Sequence, residues 1–284
     1  MAKFLGVRGS NPARLLIKAG SAGLKVIDPR RTAAAADADA AVARLTAPSA
    51  AVADIIYQYV FNESLAGRWQ YITRIWVGVT NIASAYTCLK TGNTATPTAT
   101  FGWSADKGVV IPYNVGGPDA HIALNYNASA DFANISDLAC GNVVSKVLWQ
   151  GSVSAGADTL FCTQSGFPSV VQTYKNPPAS PQKQANLNGS TALISGTDAE
   201  LRNKVIRIDS TAAGIPRIRL SALEGVGTFP PFVSDVPDAC QIGVLLNGDS
   251  VGMDWKMAYF ATADLAWPGF RDNTQNMIDS LRAL

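Results

Sequence analysis

The stretch over residues 201–220, LRNKVIRIDSTAAGIPRIRL, constrains the fold of this chain more than any other. Ile206 and Ile208 before the STAAG turn, and Ile218 and Leu220 after it, share one parity, while Arg207, Arg217 and Arg219 take the other. Alternation of this kind belongs to two half-buried strands joined as a hairpin. The arginine face is expected to be the solvated side of a sheet, with an acidic partner as the alternative.

Short runs of the same character continue from about residue 96 to 262. Strands are predicted over 99–103, 108–112, 120–126, 143–150, 159–163, 169–174, 191–195, 204–209, 215–220, 241–246 and 253–261. Asn188-Gly189 and Asn247-Gly248 have the chemistry of tight hairpin turns, and the breaker-rich segment 174–188 is expected to be a surface loop. Many short strands divided by Gly, Asn, Asp and Pro loops fit an antiparallel β-sandwich of two sheets.

Helices are predicted only near the two ends. Thr32 is a candidate N-cap for an Ala-rich helix running to Leu45, which Pro48 ends. Ser49 caps a second, in which Val52, Ile55, Ile56, Tyr59 and Val60 form an apolar stripe that stops at Gly67. Residues 68–77 alternate as a strand, a third helix starts at Asn81 and ends at Gly92, and a closing helix is expected from Asp272. The organisation is therefore a basic N-terminal anchoring arm with a short helix over 1–48, then one sandwich domain over 49–284. That domain includes the helical entry 49–92 and the closing helix 272–284.

Charged residues make up 15% of the chain and hydrophobic ones 48%, a balance that suits a subunit packed against neighbours and points to self-association. Charge is also unevenly placed. Lys3, Arg8, Arg14, Lys18, Lys25, Arg30 and Arg31 stand against Asp28 alone in the first 31 residues, although the net charge of the whole is +2. A basic arm on a mildly acidic body suits docking onto an acidic protein surface or nucleic acid, and a solvated chain end is the plain alternative. Basic residues interrupt every apolar run near the start before it reaches the length of a signal peptide, and no run approaches a membrane span. Synthesis and assembly in the cytoplasm follow as the expectation.

Few residues offer chemistry. Cys88, Cys140, Cys162 and Cys240 form no close pair, so buried free thiols are expected instead of a zinc site or a catalytic thiol. Glu63, Glu200 and Glu224 show no spacing that sets two carboxyls on one sheet face, as a glycosidase needs. His121 is the only histidine and lacks a nucleophile elbow, so a structural role at a strand edge is expected. The chain is accordingly read as a non-enzyme with no cofactor. Calcium on Asp235 and Asp238, or on Asn247 and Asp249, is the one metal the sequence leaves open. Trp69, Trp76, Trp103, Trp149 and Trp255 fall in predicted strands and are assigned to packing. Trp267, before Pro268-Gly269 in a predicted loop, is the tryptophan left for a sugar, which would also require a loop cluster such as 112–119 or 227–239.

The block from Asp54 to Gly108 carries a resemblance. A helix leading to Gly67-Arg68-Trp69, the apolar strand 72–79, a short helix with Ser84, Ala85 and Leu89-Lys90, and then Thr98-Ala99-Thr100-Phe101 resembles the start of laminin-G or concanavalin A-like domains in bacteriophage structural proteins. The end is similar: Ile242-Gly243-Val244, the Asn247-Gly248 turn, a strand through Tyr259-Phe260, Leu265 and a closing helix. The acidic residue often found after that leucine is absent. The resemblance spans about residues 52–284 and implies a concanavalin A-like jelly-roll sandwich in a virion subunit. Such a subunit would be a capsid decoration, tail, neck or fibre component, docked on other virion proteins by its arm. In some relatives the sandwich binds glycans, which makes a carbohydrate-binding module for host adsorption the alternative.

Overall fold

The computed structural model describes residues 16–20, 23–112, 120–148, 157–164, 167–175, 182–187, 190–230, 236, 239–243 and 252–284. In chain order these form β1 (Leu16–Gly20), β2 (Gly23–Ile27), α1 (Pro29–Ala43), α2 (Ala50–Leu65), β3 (Ile72–Val77) and α3 (Ile82–Ala85). Then come β4 (Thr96–Pro97), β5 (Gly102–Ser104), β6 (Gly108–Ile111), β7 (Ile122–Ala123), β8 (Leu138–Leu148), β9 (Ala157–Gln164) and β10 (Phe167–Lys175). The chain continues with β11 (Gln182–Leu187), β12 (Ser190–Ser195), α4 (Asp198–Leu201), β13 (Ile206–Ser210), β14 (Pro216–Leu220) and β15 (Leu223–Val226). It closes with β16 (Ala239–Ile242), β17 (Gly252–Thr262) and α5 (Trp267–Arg282).

The strands form two antiparallel sheets. One is seven-stranded in the order β12-β11-β10-β9-β16-β7-β4, and the other runs β15-β14-β13-β8-β17-β6-β5 with β3 also on β17. The expected hairpin sits in the second sheet. Ile206 faces Leu220 and Ile208 faces Ile218 across β13 and β14, and all four are buried between the sheets with Phe101, Ile122, Tyr126 and Phe260.

A second apolar layer lies on the far side of the eight-stranded sheet. Ala38 and Ala41 of α1, Val52, Ile56 and Val60 of α2, and Phe270, Ile278 and Leu281 of α5 pack there with Ile75, Val143, Met257 and Tyr259. This sheet is therefore buried on both faces, whereas outward positions described on the other, Thr96, Ala239 and the 46% exposed Leu193, meet solvent. Strand β17 serves both layers. Ala258 and Phe260 point into the sandwich, Met257 and Tyr259 toward the helices, and register shifts around Trp255 return Met253 and Trp255 to the sandwich side.

Several expected boundaries move, each for a local reason. The first helix starts at Pro29, because Asp28 accepts from the backbone N–H of Arg30 at 3.0 Å and proline is favoured in the first turn, so Thr32 is inside it. Its residues Ala38 and Ala41, and Leu45 just after it, belong to the helical layer, so residue 48 is no boundary of packing. Residues Trp69–Tyr71 are a turn of 3-10 helix ahead of β3, and the helix capped by Asn81 is a single turn. The closing helix begins at Trp267, again with proline in its first turn, five residues before the predicted start. Part of the expected loop 174–188 is strand: β11 pairs in six-residue registers with β10 and β12, which supply the order its polar sequence does not. The Asn188-Gly189 and Asn247-Gly248 turns, Trp149 and the predicted strand end at 149–150 lie outside the described residues.

Candidate functional site

Helices α2 and α5 lie side by side on the covered sheet, and a cleft of about 260 Å³ opens between them. One rim is Asp54, Gln58 and Asn62, spaced four apart so that they share a helix face; the other is Asn273, Asn276 and Ser280. Tyr59 and Met277, both almost fully buried, lie beneath. The Tyr59 hydroxyl is within 3.2 Å of Thr274 Oγ1, and burial, with Glu63 nearby, pushes its ionisation far above the ordinary phenol range, so it stays neutral.

Below the rim, Glu63 is fully buried and held by two hydrogen bonds from Arg68, Nε to Oε2 at 2.9 Å and Nη2 to Oε1 at 2.8 Å. That pairing raises the Arg68 guanidinium above its usual value. Asn273 Nδ2 donates to the same Glu63 Oε1 at 2.7 Å and to the Tyr59 carbonyl at 3.2 Å, which fixes one rim residue from below. With Glu63 committed in this way, Asp54 is the carboxylate left at the rim. The remaining groups are amides and a hydroxyl, which both donate and accept and so match the mixed demands of a polyhydroxylated ligand. Sequence patterning gave these residues no role. The available signal was the concentration of amides on two helices that flank each other, and only the pairing of α2 with α5 makes it a site.

A second cluster lies under the start of α5. Asp209, on the same strand parity as the arginines, accepts from Arg207 Nε at 2.5 Å, from Arg217 Nε at 2.8 Å and Nη2 at 3.2 Å, and from Arg219 Nη2. Arg207 also donates to the carbonyls of Leu265 and Ala263 and is buried, because the 263–266 segment and α5 cover this face. The arginine stripe is therefore not the solvated side of the sheet at Arg207, and Arg217 and Arg219 are only 24% and 17% exposed. Burial works against ionisation of Asp209, but the hydrogen bond from Arg217 and the three guanidinium charges outweigh it and hold the carboxyl below its ordinary range.

The other candidate residues are dispersed. Lys3, Arg8 and Arg14 lie outside the described residues; Lys18 and Lys25 fall on β1 and β2, which pair as a hairpin; Arg30 and Arg31 are exposed on α1, Arg30 paired with Asp28 at 3.3 Å. Trp267, expected in a loop and open to a sugar, is the first residue of α5 and 6% exposed, packed against Phe270 and beneath Arg219. That packing leaves it no ring face for a ligand. His121 precedes β7 and is bracketed by Thr98, whose N–H and hydroxyl donate to its carbonyl while its own N–H donates to Thr98 Oγ1. Cys88, Cys140 and Cys240 are buried free thiols. Asp235, Asp238, Asn247 and Asp249, and most of the loops 112–119 and 227–239, lie outside the described residues, among which no metal-ligating cluster occurs. No described helix is long and apolar enough to cross a membrane.

No family model and no curated protein matches this chain. Its fold is similar to that of solved structures. A botulinum neurotoxin type C structure, whose cell entry is described as dependent on two ganglioside molecules, matches at TM-score 0.50 and 10% identity, over 76% of this chain and 53% of that one. Domain 4 of AbnA, a GH43 extracellular arabinanase from Geobacillus stearothermophilus, in complex with arabinotriose, matches at TM-score 0.45 and 10% identity, over 71% and 97%. The Emp47p carbohydrate recognition domain matches at TM-score 0.40 and 12% identity, over 66% and 94%. At 10% identity the likeness to the neurotoxin structure concerns the fold alone.

Proposed function

We propose that this chain is a non-enzymatic, carbohydrate-binding β-sandwich module, attached to a larger assembly through its basic N-terminal segment. The observation that carries the reading is the α2–α5 cleft, with amide and hydroxyl rims over a neutral tyrosine, which suits a neutral sugar ring and lacks the paired free carboxylates of a hydrolase. The larger assembly is a bacteriophage particle, with the sandwich of the concanavalin A-like jelly-roll type, as the resemblance over residues 52–284 implies. The module then serves host adsorption as a decoration, tail, neck or fibre component assembled in the host cytoplasm.

Calorimetric titration of neutral cell-surface oligosaccharides into the full chain tests the first part. Gln58→Ala and Asn276→Ala each remove hydrogen-bonding groups at an exposed rim position and are expected to weaken binding about tenfold without changing thermal stability. Affinity unchanged by both variants would place the sugar elsewhere, and absence of binding across the panel would leave a purely structural subunit. Copy number in purified particles, by quantitative mass spectrometry against the major capsid protein, tests the second part. A hundred or more copies means a decoration, roughly 3 to 20 a tail or fibre component, and none overturns the virion reading.

A further inference from the structure

The cluster around Asp209 holds more positive charge than its own acid neutralises. Oδ1 accepts from Arg217, and Oδ2 from Arg207, Arg217 and Arg219, which fills the roughly four lone-pair positions of a carboxylate. Arg207 is consumed, its other donors going to the Leu265 and Ala263 carbonyls. Arg217, whose Nη2 also donates to the Ser210 carbonyl at 3.4 Å, and Arg219 are less fully committed. Among the described residues, the Nε of Arg219 is buried with no acceptor at all, and both side chains keep an exposed portion.

The charged groups that face them do not close the account. Glu224 lies opposite Arg219 in the β14–β15 register and also favours the charge on Arg217, but it is itself exposed, and Arg271 is matched by Asp272 at 2.7 Å. The Arg219 guanidinium stands 5.8 Å from the Trp267 ring, which puts it at the start of α5. That end has Ala266 as N-cap, no side-chain cap and no acidic residue in its first turn. Burial and the neighbouring Arg207 and Arg217 lower the pKa of Arg219 from its usual value, with Asp209 opposing them.

From these contacts we infer that Arg217 and Arg219, beside the N-terminus of α5, form a binding site for a small oxyanion of the sulfate or phosphate type. The exposed portions of two guanidinium forks supply the charge-assisted donors that such a group requires. The site is independent of the carbohydrate cleft, which is built from Asp54–Asn62 and Asn273–Ser280 and is lined without arginine.

The test follows thermal unfolding of the full chain in sodium sulfate and in sodium phosphate against sodium chloride of equal ionic strength. A site with a dissociation constant of about 1 mM predicts a midpoint rise of roughly 4 °C by about 20 mM anion, climbing with the logarithm of concentration as one-site linkage requires. Arg219→Gln is expected to abolish this low-millimolar logarithmic rise, leaving the linear, non-specific effect of sulfate. A wild-type rise that is only linear in concentration, or a logarithmic rise retained in Arg219→Gln, overturns the site. Should that variant fail to fold, Arg217→Gln and the shape of the wild-type curve decide it. Galactose 6-sulfate titrated beside inorganic sulfate separates the sources: equal affinities mean a free ion, and a tighter sugar ester means an anionic glycan.

Discussion

Replacing Asp209 by asparagine removes the single negative charge at the centre of three guanidiniums and keeps the side chain's volume. Arg207 is 1% exposed and cannot lose its proton, so the variant leaves a buried cation facing a neutral amide. Breaking one partner of a buried ionic cluster costs about 3–5 kcal/mol, and because the amide oxygen still accepts one or two N–H groups the lower end applies, about 3 kcal/mol. For a chain of this size that corresponds to a fall of about 6–12 °C in the unfolding midpoint, read by differential scanning calorimetry at pH 7. The acid limb must change as well. The folded-state pKa of Asp209 lies below its ordinary 3.8, so its stabilisation is present above that value and is lost as pH falls through the lower, folded one. The wild type is expected to lose stability there, and the asparagine variant to show a flatter dependence over the same window. Adding Arg207→Met to the variant removes the stranded cation and is expected to recover part of the loss. A midpoint change under about 1 °C, or a double variant less stable than the sum of the singles, would refute the assignment of Asp209 as the counter-charge.

Other perturbations test other layers. A Cβ on Gly141 of β8 would stand 1.8 Å from the Ile206 carbonyl, the same oxygen that accepts from the Tyr259 hydroxyl at 2.9 Å, so Gly141→Ala is expected to cost roughly 3 kcal/mol or more and to appear as a lowered urea midpoint. Lys256 is fully buried, its ammonium donating to the Asp106 carbonyl, and burial, with Arg282 nearby, pulls its pKa down to about 8. From there to its ordinary 10.5 the unfolded chain holds the additional proton, so stability rises with pH in that window, and Lys256→Met is expected to remove the rise in urea titrations at pH 7.5 and 9.5. Deleting residues 1–27 is expected to leave the melting midpoint within about 2 °C, whereas deletion through residue 48 removes the packing of Ala34, Ala38, Ala41 and Leu45 and the 2.6 Å bond from Arg44 to the Leu89 carbonyl, and is expected to destabilise strongly.

Strand pairing was largely legible because the apolar parity is strong where a strand borders the sandwich core. The hairpin of β13 and β14 and the strand β17 were placed from alternation alone, within a few residues of their ends. What was missed has a common physical character. Strand β11, QKQANL, carries no β-branched residue and is a strand because β10 and β12 flank it. The starts of α1 and α5 were displaced because Pro29 and Pro268 were not read as first-turn residues, although in the first turn proline lacks only a donor that has no partner there. The cleft residues Gln58, Asn62, Asn273 and Asn276 were invisible as a set, since nothing in either helix alone says which of its polar faces will meet another.

The arginine stripe carries the most general lesson, since alternation tells which residues avoid the sandwich core but not what lies on the other side. The information was present at a longer range. Strands β3 and β17 are apolar on both parities, with Ile75 and Val77 opposite Trp76, and Met257 and Tyr259 opposite Ala258 and Phe260. A sheet centred on such strands cannot leave either face in water, and α2 and α5 each carry an apolar stripe that needs a partner. Joining these two requirements covers the outer face of the eight-stranded sheet before any coordinates are known. Any charge on that face must then be paired internally, and Asp209, two residues from Arg207 and opposite Arg217, is the acid its register supplies. One buried acid for three guanidiniums leaves Arg217 and Arg219, at the margin of the helical cover, as the two that keep some contact with solvent.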